Sequence, residues 1–267
     1  WPWSVAMWSV VTGAGTGIGR GLARSLALRG FPVALVGRRE GLLSETKDLI
    51  LRECVEISKT LAPEIKVIAA DVSTETGRQT IADGINGSKV CHLVHNAAVI
   101  SPIETLDEID LQEWRKAQSI NVEGPLFLTM KIKRSLIHDD GSKVLFIGSG
   151  AAHKPYHSWG SYCSSKAALH MLWKVFKAED RFPGVAFGSV RPGVVDTPMQ
   201  DTLRSTDFHN QELFCQLKSD GKLTSVDEVS QFLSWLLCDV ESSEFQEGEW
   251  DVRDEHHRHR WNHSEHL

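Results

Sequence analysis

Long hydrophobic runs and basic stripes are both missing from this chain of 267 residues. No apolar run approaches the roughly 20 residues that a membrane-spanning helix requires, so we expect no membrane partner. The formal net charge is −6. A net acidic chain without a basic stripe argues against nucleic acid as a partner. The length allows one sizeable domain with its own core.

Cysteine is scarce, and no C-x-x-C motif is present. The five cysteines are odd in number and widely spaced, which is typical of reduced thiols rather than of a disulfide framework or a zinc site. We therefore expect a cytoplasmic protein. Histidines concentrate after Asp254, where no carboxylate or cysteine lies at ligand spacing in a rigid element. We expect residues 254–267 to form a polar, mobile tail and expect no metal site.

Short β-branched and apolar runs alternate with amphipathic helical patterns along the rest of the chain. This alternation indicates β-α-β units, and therefore a parallel sheet with helices on both faces. We predict an α/β fold, a Rossmann-like doubly wound sheet of about seven strands. The predicted strands are Met7–Val11, Val33–Val36, Lys66–Ala70, His92–His95, Lys143–Ile147, Val185–Val190 and Glu249–Val252. The predicted helices are Ile18–Arg29, Gly41–Lys59, Thr74–Ile85, Val122–Ile137 and Tyr162–Asp180.

One domain accounts for residues 1–253, because no repeat or low-complexity linker divides them. The stretch Thr197–Leu223 breaks the alternation just after a strand end. Its mixed helical and loop character is typical of segments that close over a substrate, so it is a candidate flap.

A glycine-rich turn follows the first predicted strand, in T-G-A-G-T-G-I-G from Thr12 to Gly19, and a helix follows the turn. Strand, glycine turn and helix form the context in which such a motif binds a dinucleotide. Gly13 permits the tight turn, while Gly17 and Gly19 allow close approach of a pyrophosphate and of the strand. The free N–H groups of the helix favour phosphates. The alternative is a glycine turn without a ligand.

The end of the second predicted strand indicates which nicotinamide coenzyme is bound. Proteins that prefer NAD usually carry an acidic residue there, which accepts hydrogen bonds from the ribose 2′-OH. Here Gly37 is followed by Arg38 and Arg39. Guanidinium groups bind a 2′-phosphate through paired, charge-assisted hydrogen bonds, so we predict NADP(H). The alternative is two solvated arginines at a strand end.

Two more segments follow predicted strands, where ligands of open α/β sheets bind. Asp71 follows the third strand and is a candidate contact for the adenine edge; a helix cap or turn former is the alternative. Asn96, Ala97 and Ala98 follow the fourth strand, and their small size suits close approach to a ribose or nicotinamide.

Tyr162 and Lys166 are the main candidates for chemistry. They stand four residues apart in a predicted helix, so their side chains share one face, and an ammonium group beside a phenol lowers the phenol's pKa. Such a tyrosine can exchange a proton with a carbonyl group. Ser149 ends the fifth strand and can donate to the carbonyl oxygen. Asn121 is a poor residue for a helix interior and is a candidate for a local distortion that holds a water near Lys166.

These motifs together resemble the short-chain dehydrogenase/reductase family, in its single-domain branch. The matching positions are Thr12–Gly19, Asn96–Ala98, Asn121, Ser149, Tyr162-x-x-x-Lys166 and Pro192-Gly193, and their order and spacing span residues 7–253. The chain departs from the family's N-N-A-G pattern, which reads His95-Asn96-Ala97-Ala98 here.

The resemblance implies roles for these residues. Tyr162 is the general acid for carbonyl reduction, Lys166 lowers its pKa and holds the nicotinamide ribose, and Ser149 orients the carbonyl oxygen. Asn121 supports a proton relay. The cofactor contacts implied by the resemblance are Gly13, Gly15, Thr16, Gly17, Ile18, Gly19, Arg38, Arg39, Asp71, Val72, Asn96, Ala97, Ala98, Tyr162, Lys166, Pro192, Gly193, Val195 and Thr197.

Within the family the chain is similar to the sepiapterin reductase and benzil reductase group, which reduces compact carbonyls and vicinal diketones with NADPH. Trp159, Met199 and Leu203 are candidates for an apolar substrate wall beside Ser149 and Tyr162; ordinary packing is the alternative. The resemblance implies a homodimer or homotetramer. An oxidising 3-oxoacyl or secondary-alcohol dehydrogenase and a non-catalytic NADP(H) sensor are the alternative functions.

Overall fold

The structure is a computed structural model that describes residues 7–58, 62–138, 141–179 and 181–262. Seven parallel strands form one sheet in the order β3-β2-β1-β4-β5-β6-β7. The strands are β1 (Met7–Thr12), β2 (Val33–Gly37), β3 (Ile65–Ala69), β4 (Lys89–His95), β5 (Ser142–Ile147), β6 (Val185–Arg191) and β7 (Glu249–Asp251). The predicted doubly wound sheet of seven strands is confirmed.

Helices connect the strands and cover the sheet. The α-helices are α1 (Gly17–Leu28), α2 (Glu40–Glu53), α3 (Glu75–Gly84), α4 (Leu111–Gln118), α5 (Gly124–Lys131), α6 (Lys133–Leu136), α7 (Gly160–Glu179), α8 (Pro198–Ser205), α9 (Gln211–Ser219), α10 (Val226–Cys238), α11 (Ser242–Phe245) and α12 (Arg258–Trp261). Two π-helical turns (Cys54–Ser58 and Ser119–Glu123) and two 3-10 turns (Gly150–Ala152 and Glu255–His257) complete the described elements.

Apolar side chains fill two cores, one on each face of the sheet. One core joins the strands to α1 and α10 through residues such as Leu22 and Phe232. The other joins them to α3, α5 and α7 through residues such as Trp173. Neighbouring strand residues alternate between the two, with Val11 in the first and Val10 in the second. Burial on both faces explains why the strands lack polar alternation.

The strand order reverses between β1 and β4, because the chain builds the sheet outwards from β1 in both directions. In open α/β sheets this reversal opens a crevice beyond the carboxyl ends of the strands. The fold therefore brings the segments after β1 and β4 to the two sides of one crevice.

Four helices, α4, α10, α11 and α12, were not predicted from the sequence. In α10 the apolar residues Val229, Phe232, Leu233 and Leu236 recur at helical spacing and are fully buried. The Ser225 hydroxyl caps this helix by accepting a hydrogen bond from the Glu228 backbone N–H at 3.1 Å.

One predicted helix differs in detail from the structure. The single helix predicted over Val122–Ile137 is divided into a π-helical turn, α5 and α6. The predicted flap Thr197–Leu223 contains α8 and α9, in agreement with its mixed helical character. Lys59 and Asp180, the predicted ends of two helices, lie outside the described residues.

The C-terminal segment differs from the expected polar, mobile tail as far as Trp261. The indole of Trp261 is 1% exposed and contacts the Phe232 ring at a centroid distance of 5.2 Å. His257 is also buried, and its ring stacks on Phe232. The rings of Trp261 and His257 have apolar faces that pack against Phe232, although the number of histidines in this segment indicated a polar tail. His263 and His266 lie outside the described residues.

Within the described ranges, no helix combines the length and apolar character needed to cross a membrane. All five cysteines are among the described residues, and none of them forms a disulfide.

Candidate active site

A cleft of about 700 Å³ lies beyond the carboxyl ends of the strands. Its walls come from the segments that follow all seven strands, from the glycine turn after β1 to Arg253 after β7. The predicted cofactor residues that line it are Gly13, Gly15, Thr16, Gly17, Ile18, Arg38, Arg39, Asp71, Val72, Asn96, Ala97, Ala98, Tyr162, Lys166, Pro192, Gly193, Val195 and Thr197. The predicted substrate residues Ser149, Trp159, Met199 and Leu203 line the same cleft. Gly19 and Asn121 are not among its lining residues.

The glycine turn fits a dinucleotide phosphate. Gly13 has φ +69°, a left-handed conformation that glycine adopts without strain. The first turn of α1 has no acidic residue, and its N-cap residue, Thr16, makes no side-chain capping hydrogen bond. The N–H groups at this helix end therefore have no side-chain partner from the cap and lie at the cleft.

Gly19 acts in packing rather than in lining the cleft. A Cβ atom at this position would lie 2.3 Å from the Gly13 carbonyl oxygen and 2.5 Å from Nδ2 of Asn96. Only a residue without a side chain lets α1 approach the turn so closely.

Hydrogen bonds between β1 and β4 hold the two sides of the cleft in register. The Thr12 hydroxyl donates to the Val94 carbonyl oxygen at 3.0 Å and accepts from the backbone N–H groups of Asn96 (3.0 Å) and Ala97 (3.1 Å). The Asn96 amide donates to the carbonyl oxygens of Thr12 (2.9 Å) and Gly13 (3.3 Å). The side chain of Asn96 thus supports the glycine turn. This role of Thr12 could not be predicted from the motif, because its partners are distant in the chain.

The part of the cleft wall that follows β2 has a basic character. Arg38 and Arg39 follow β2 and are both exposed. Gly37, where an acidic residue would repel a phosphate, lies beside them. Asp71 lines the cleft. It also forms a turn, because its Oδ1 accepts hydrogen bonds from the Ser73 backbone N–H at 2.9 Å and from the Ser73 hydroxyl at 2.7 Å. Both interpretations left open for Asp71 are compatible with this position.

Tyr162 and Ser149 both line the cleft. Tyr162 is 7% exposed, and burial raises its pKa to about 12, against a smaller lowering by its hydrogen bond with the Ser149 hydroxyl. This differs from the lowered pKa predicted from the sequence. Desolvation favours the neutral phenol, and Tyr162 is therefore protonated at neutral pH.

Lys166 lies one turn further along α7 and is 3% exposed. Its ammonium group donates to the Ile147 carbonyl oxygen at 2.8 Å and lies 5.7 Å from the centre of the Tyr162 ring. Burial lowers the pKa of Lys166 to about 8. The ammonium group is thus held by the end of β5 rather than by the phenol, which explains why it does not lower the pKa of Tyr162 here.

Asn121 lies in the π-helical turn Ser119–Glu123, the local distortion that its presence in a helix suggested. Its Oδ1 accepts from the Val99 backbone N–H at 2.9 Å, and its Nδ2 donates to the Val99 carbonyl oxygen (2.8 Å) and to the Ser165 hydroxyl (3.0 Å). Ser165 is the residue before Lys166, so Asn121 joins α7 to the segment after β4. The predicted water relay stays a prediction.

Aromatic rings form the wall beside Tyr162. The Trp159 ring meets Tyr162 edge-on at 5.8 Å and stacks on Tyr156 at 4.8 Å and on Phe214 at 5.4 Å. Met199 and Leu203 belong to the same apolar cluster. Sequence analysis missed Tyr156 and Phe214, although Tyr156 is one of only two tyrosines in the chain. Phe214 comes from α9, whose position over the cleft no local pattern reveals.

Comparisons with known proteins agree with this geometry. A family model described as short chain dehydrogenase matches residues 7–207. Benzil reductase ((S)-benzoin forming) from Bacillus cereus is 31% identical over 251 residues, which cover 90% of this chain and 96% of that protein. Sepiapterin reductase from Mus musculus is 33% identical over 242 residues, which cover 85% and 90%.

The fold also matches a solved structure, L-sorbose reductase from Gluconobacter frateurii. The TM-score is 0.79 at 21% identity, and the match covers 92% of this chain and 95% of that one. With the family model, the two relatives and the shared fold in agreement, the chain belongs to the short-chain dehydrogenase family of oxidoreductases, near its benzil reductase and sepiapterin reductase members.

Proposed function

We propose that this protein reduces a ketone or vicinal diketone to a hydroxy product with NADPH, and that Tyr162 is the proton donor. The observation that carries the proposal is that Ser149 and the buried Tyr162 line the same cleft as the glycine turn, with the Ser149 hydroxyl close enough to act on the pKa of Tyr162. A carbonyl group bound between the two hydroxyls would lie within reach of a nicotinamide held by that turn.

The chain's own residues would orient the carbonyl group and move the proton. Bound NADPH would supply the hydride for the carbonyl carbon. Ser149 donates a hydrogen bond to the carbonyl oxygen, which stabilises the negative charge that develops there. Tyr162 gives its phenolic proton to the same oxygen. Lys166 holds the nicotinamide ribose, and Asn121 supports the relay that returns a proton to Tyr162.

Tyr162 can serve either direction of the reaction, because the phenol donates the proton in reduction and its conjugate base accepts one in oxidation. Reduction is proposed over the alternative of an oxidising 3-oxoacyl or secondary-alcohol dehydrogenase because the named relatives are reductases. The intact set of Ser149, Tyr162 and Lys166 argues against a sensor without catalysis.

NADP(H) is the proposed coenzyme because two exposed guanidinium groups, Arg38 and Arg39, line the end of the cleft where a 2′-phosphate would lie. Gly37 leaves this end without a repelling carboxylate. The L-sorbose reductase of the same fold is described as complexed with NADPH and L-sorbose, which is compatible with this choice.

A compact diketone is favoured over a pterin as substrate. The names of the relatives include both benzil and sepiapterin reductases. The resemblance to sepiapterin reductase implies a carboxylate near the C-terminus as the anchor of a pterin, for which Asp254 and Glu255 are the candidates here, and neither is among the lining residues of the cleft. The Asp254 carboxylate instead accepts from the His256 backbone N–H at 3.1 Å. The ring wall around Trp159 suits an aryl group.

A homo-oligomer is part of the proposal. Phe127 and Met130 on α5 are 41% and 54% exposed, and Met171 and Val175 on α7 are 56% and 39% exposed. Large apolar side chains that stay exposed on helices are typical of a surface covered by a second copy. A cytoplasmic location also stays a proposal, supported by five cysteines without a disulfide.

The test is a substrate screen with purified protein and each nicotinamide. Consumption of NADPH, followed by its near-ultraviolet absorbance, is expected with benzil and related vicinal diketones and is expected to be weaker with sepiapterin and 3-oxoacyl substrates. Tight NADPH binding without turnover of any carbonyl compound would favour the sensor instead.

A further inference from the structure

A buried carboxylate lies behind the catalytic serine. Glu249 is the first residue of β7, and its side chain is 10% exposed. Its Oε2 accepts a hydrogen bond from Nε2 of His153 at 2.7 Å. Its Oε1 accepts from Nδ1 of His170 and from the Ser189 hydroxyl, both at 3.1 Å. One carboxylate therefore joins three segments that are distant in sequence.

The spacing of the two histidines connects them to the catalytic groups. His153 follows Ser149 by four residues. His170 follows Lys166 by four and Tyr162 by eight, so these three side chains form one stripe along α7. The segments of Ser149 and of Tyr162 thus each contain a histidine a few residues further along the chain, and both histidines hydrogen-bond to Glu249.

Glu249 also lies directly under the turn that carries Ser149. A Cβ atom on Gly148 would be 3.2 Å from Oε1 of Glu249, and the Gly148 backbone N–H donates to the Val190 carbonyl oxygen at 2.7 Å. Ser149 and Tyr162 both line the cleft. The two segments that carry them therefore meet at the cleft and are joined behind it by the carboxylate.

A metal ion is a weaker explanation of this cluster. Ligand atoms of His153, His170 and Glu249 lie within 4.8 Å of one another. The Arg191 guanidinium, however, lies 3.4 Å from Oε2 of Glu249, so a positive charge of the protein already occupies this side of the carboxylate. The short hydrogen-bond distances favour a carboxylate that holds two histidines.

We propose that Glu249 is a positioning residue for carbonyl reduction: through His153 and His170 it fixes the separation between Ser149 and Tyr162. The role rests on the proposed function, because it matters only if both hydroxyls hold one carbonyl oxygen. An error of about 1 Å in such a pair costs up to roughly a hundredfold in rate.

Glu249→Gln tests the role, since the two histidines donate to different oxygens of Glu249 and glutamine replaces one of these acceptors with an NH2 group. Asp251→Asn is the matched control. It removes a carboxylate of similar burial from the same strand, and that carboxylate pairs with Arg191 and Arg253 rather than with the histidines. For Glu249→Gln we expect kcat to fall roughly tenfold to a hundredfold with an unchanged KM for NADPH. An unchanged kcat, or an equal fall in Asp251→Asn, overturns the proposal.

His153 gives a second test that does not depend on a buried substitution, because its side chain is 39% exposed. His153→Ala removes the donor on the Ser149 side, whereas His153→Gln keeps an N–H donor. We expect kcat to fall in the alanine variant and to recover in the glutamine variant. Equal rates in the two variants contradict the positioning role.

Hydrogen exchange separates this proposal from the proposed function, because it needs no turnover. The backbone N–H groups of Ala152 and His153 donate to Ser149 and Gly150 within the 3-10 turn. Glu249→Gln is expected to accelerate their exchange relative to Asp251→Asn. Equal exchange in both variants overturns the positioning role, whether or not the wild-type protein reduces a diketone.

Discussion

Two histidines buried in β4 should make the stability of this protein depend on pH. His92 and His95 each have a pKa lowered from 6.5 to about 3, chiefly because burial removes the water that would solvate an imidazolium. Both regain ordinary pKa values in the unfolded chain. Stability that is complete above about pH 6.5 is therefore lost as the pH falls towards 3, because the unfolded chain binds the protons.

The size of the effect follows from these two pKa values. Between about pH 7.5 and 5.5, protonation stabilises each unfolded histidine by roughly 1 to 2 kcal/mol, while the folded ones stay neutral. The pair predicts a loss of about 3 kcal/mol in the free energy of unfolding. Burial also lowers the pKa values of His170 and His257, and these residues act in the same direction.

His95→Phe isolates half of this effect. The His95 ring stacks on Phe146 at 5.0 Å, so another ring suits the site. Nε2 of His95 lies 2.7 Å from the Thr129 hydroxyl, which donates its own proton to the Pro125 carbonyl oxygen at 2.8 Å. His95 is therefore the donor to Thr129, and its removal leaves the Thr129 proton satisfied.

Urea unfolding at the two pH values, followed by tryptophan fluorescence, measures the free energies. The wild-type protein is expected to lose roughly 1 to 2 kcal/mol more than His95→Phe on acidification, whatever the absolute stability of the variant. The comparison cancels every other titrating group. An equal loss in both proteins would refute the neutral, buried state of His95.

Three further predictions concern the cleft and the surface. Arg38→Ala should raise the KM for NADPH about tenfold and leave that for NADH unchanged, because a charge-assisted hydrogen bond to the 2′-phosphate is lost; equal effects on both coenzymes would contradict this. Gly19→Ala should weaken NADPH binding in a fluorescence titration at least about tenfold, because the new Cβ would lie 2.3 Å from the Gly13 carbonyl oxygen. Gly41→Ala is the control and should bind NADPH normally, because a Cβ at position 41 would have no neighbouring atom within 4 Å. Met171→Glu should shift the light-scattering mass towards that of a monomer, and an unchanged mass would exclude this surface as the interface.

Features that depend on local spacing could be predicted from the sequence. The glycine turn from Thr12 to Gly19, and Tyr162 four residues before Lys166, bring their side chains together wherever the helix and turn form. The strand pattern then placed Ser149 and Asn96 at the same edge of a parallel sheet, which the strand order confirms.

Features that depend on contacts between distant segments could not be predicted from the sequence. The carboxylate of Glu249 meets its two histidines across gaps of 96 and 79 residues. The pKa of Tyr162 depends on its burial, and a neighbouring lysine in sequence says nothing about that. The residues around Trp261 in the chain are polar, yet Trp261 is buried, because α12 reaches the Phe232 ring.

The most direct test of the central claim is the rate of diketone reduction by Tyr162→Phe. Removing the phenolic hydroxyl removes the proposed proton donor and leaves the ring that packs against Trp159. With benzil and NADPH, the account predicts that kcat falls by at least about a hundredfold, while the dissociation constant for NADPH stays within about twofold of the wild-type value. Turnover near the wild-type rate in this variant would contradict the assignment of Tyr162 as the proton donor.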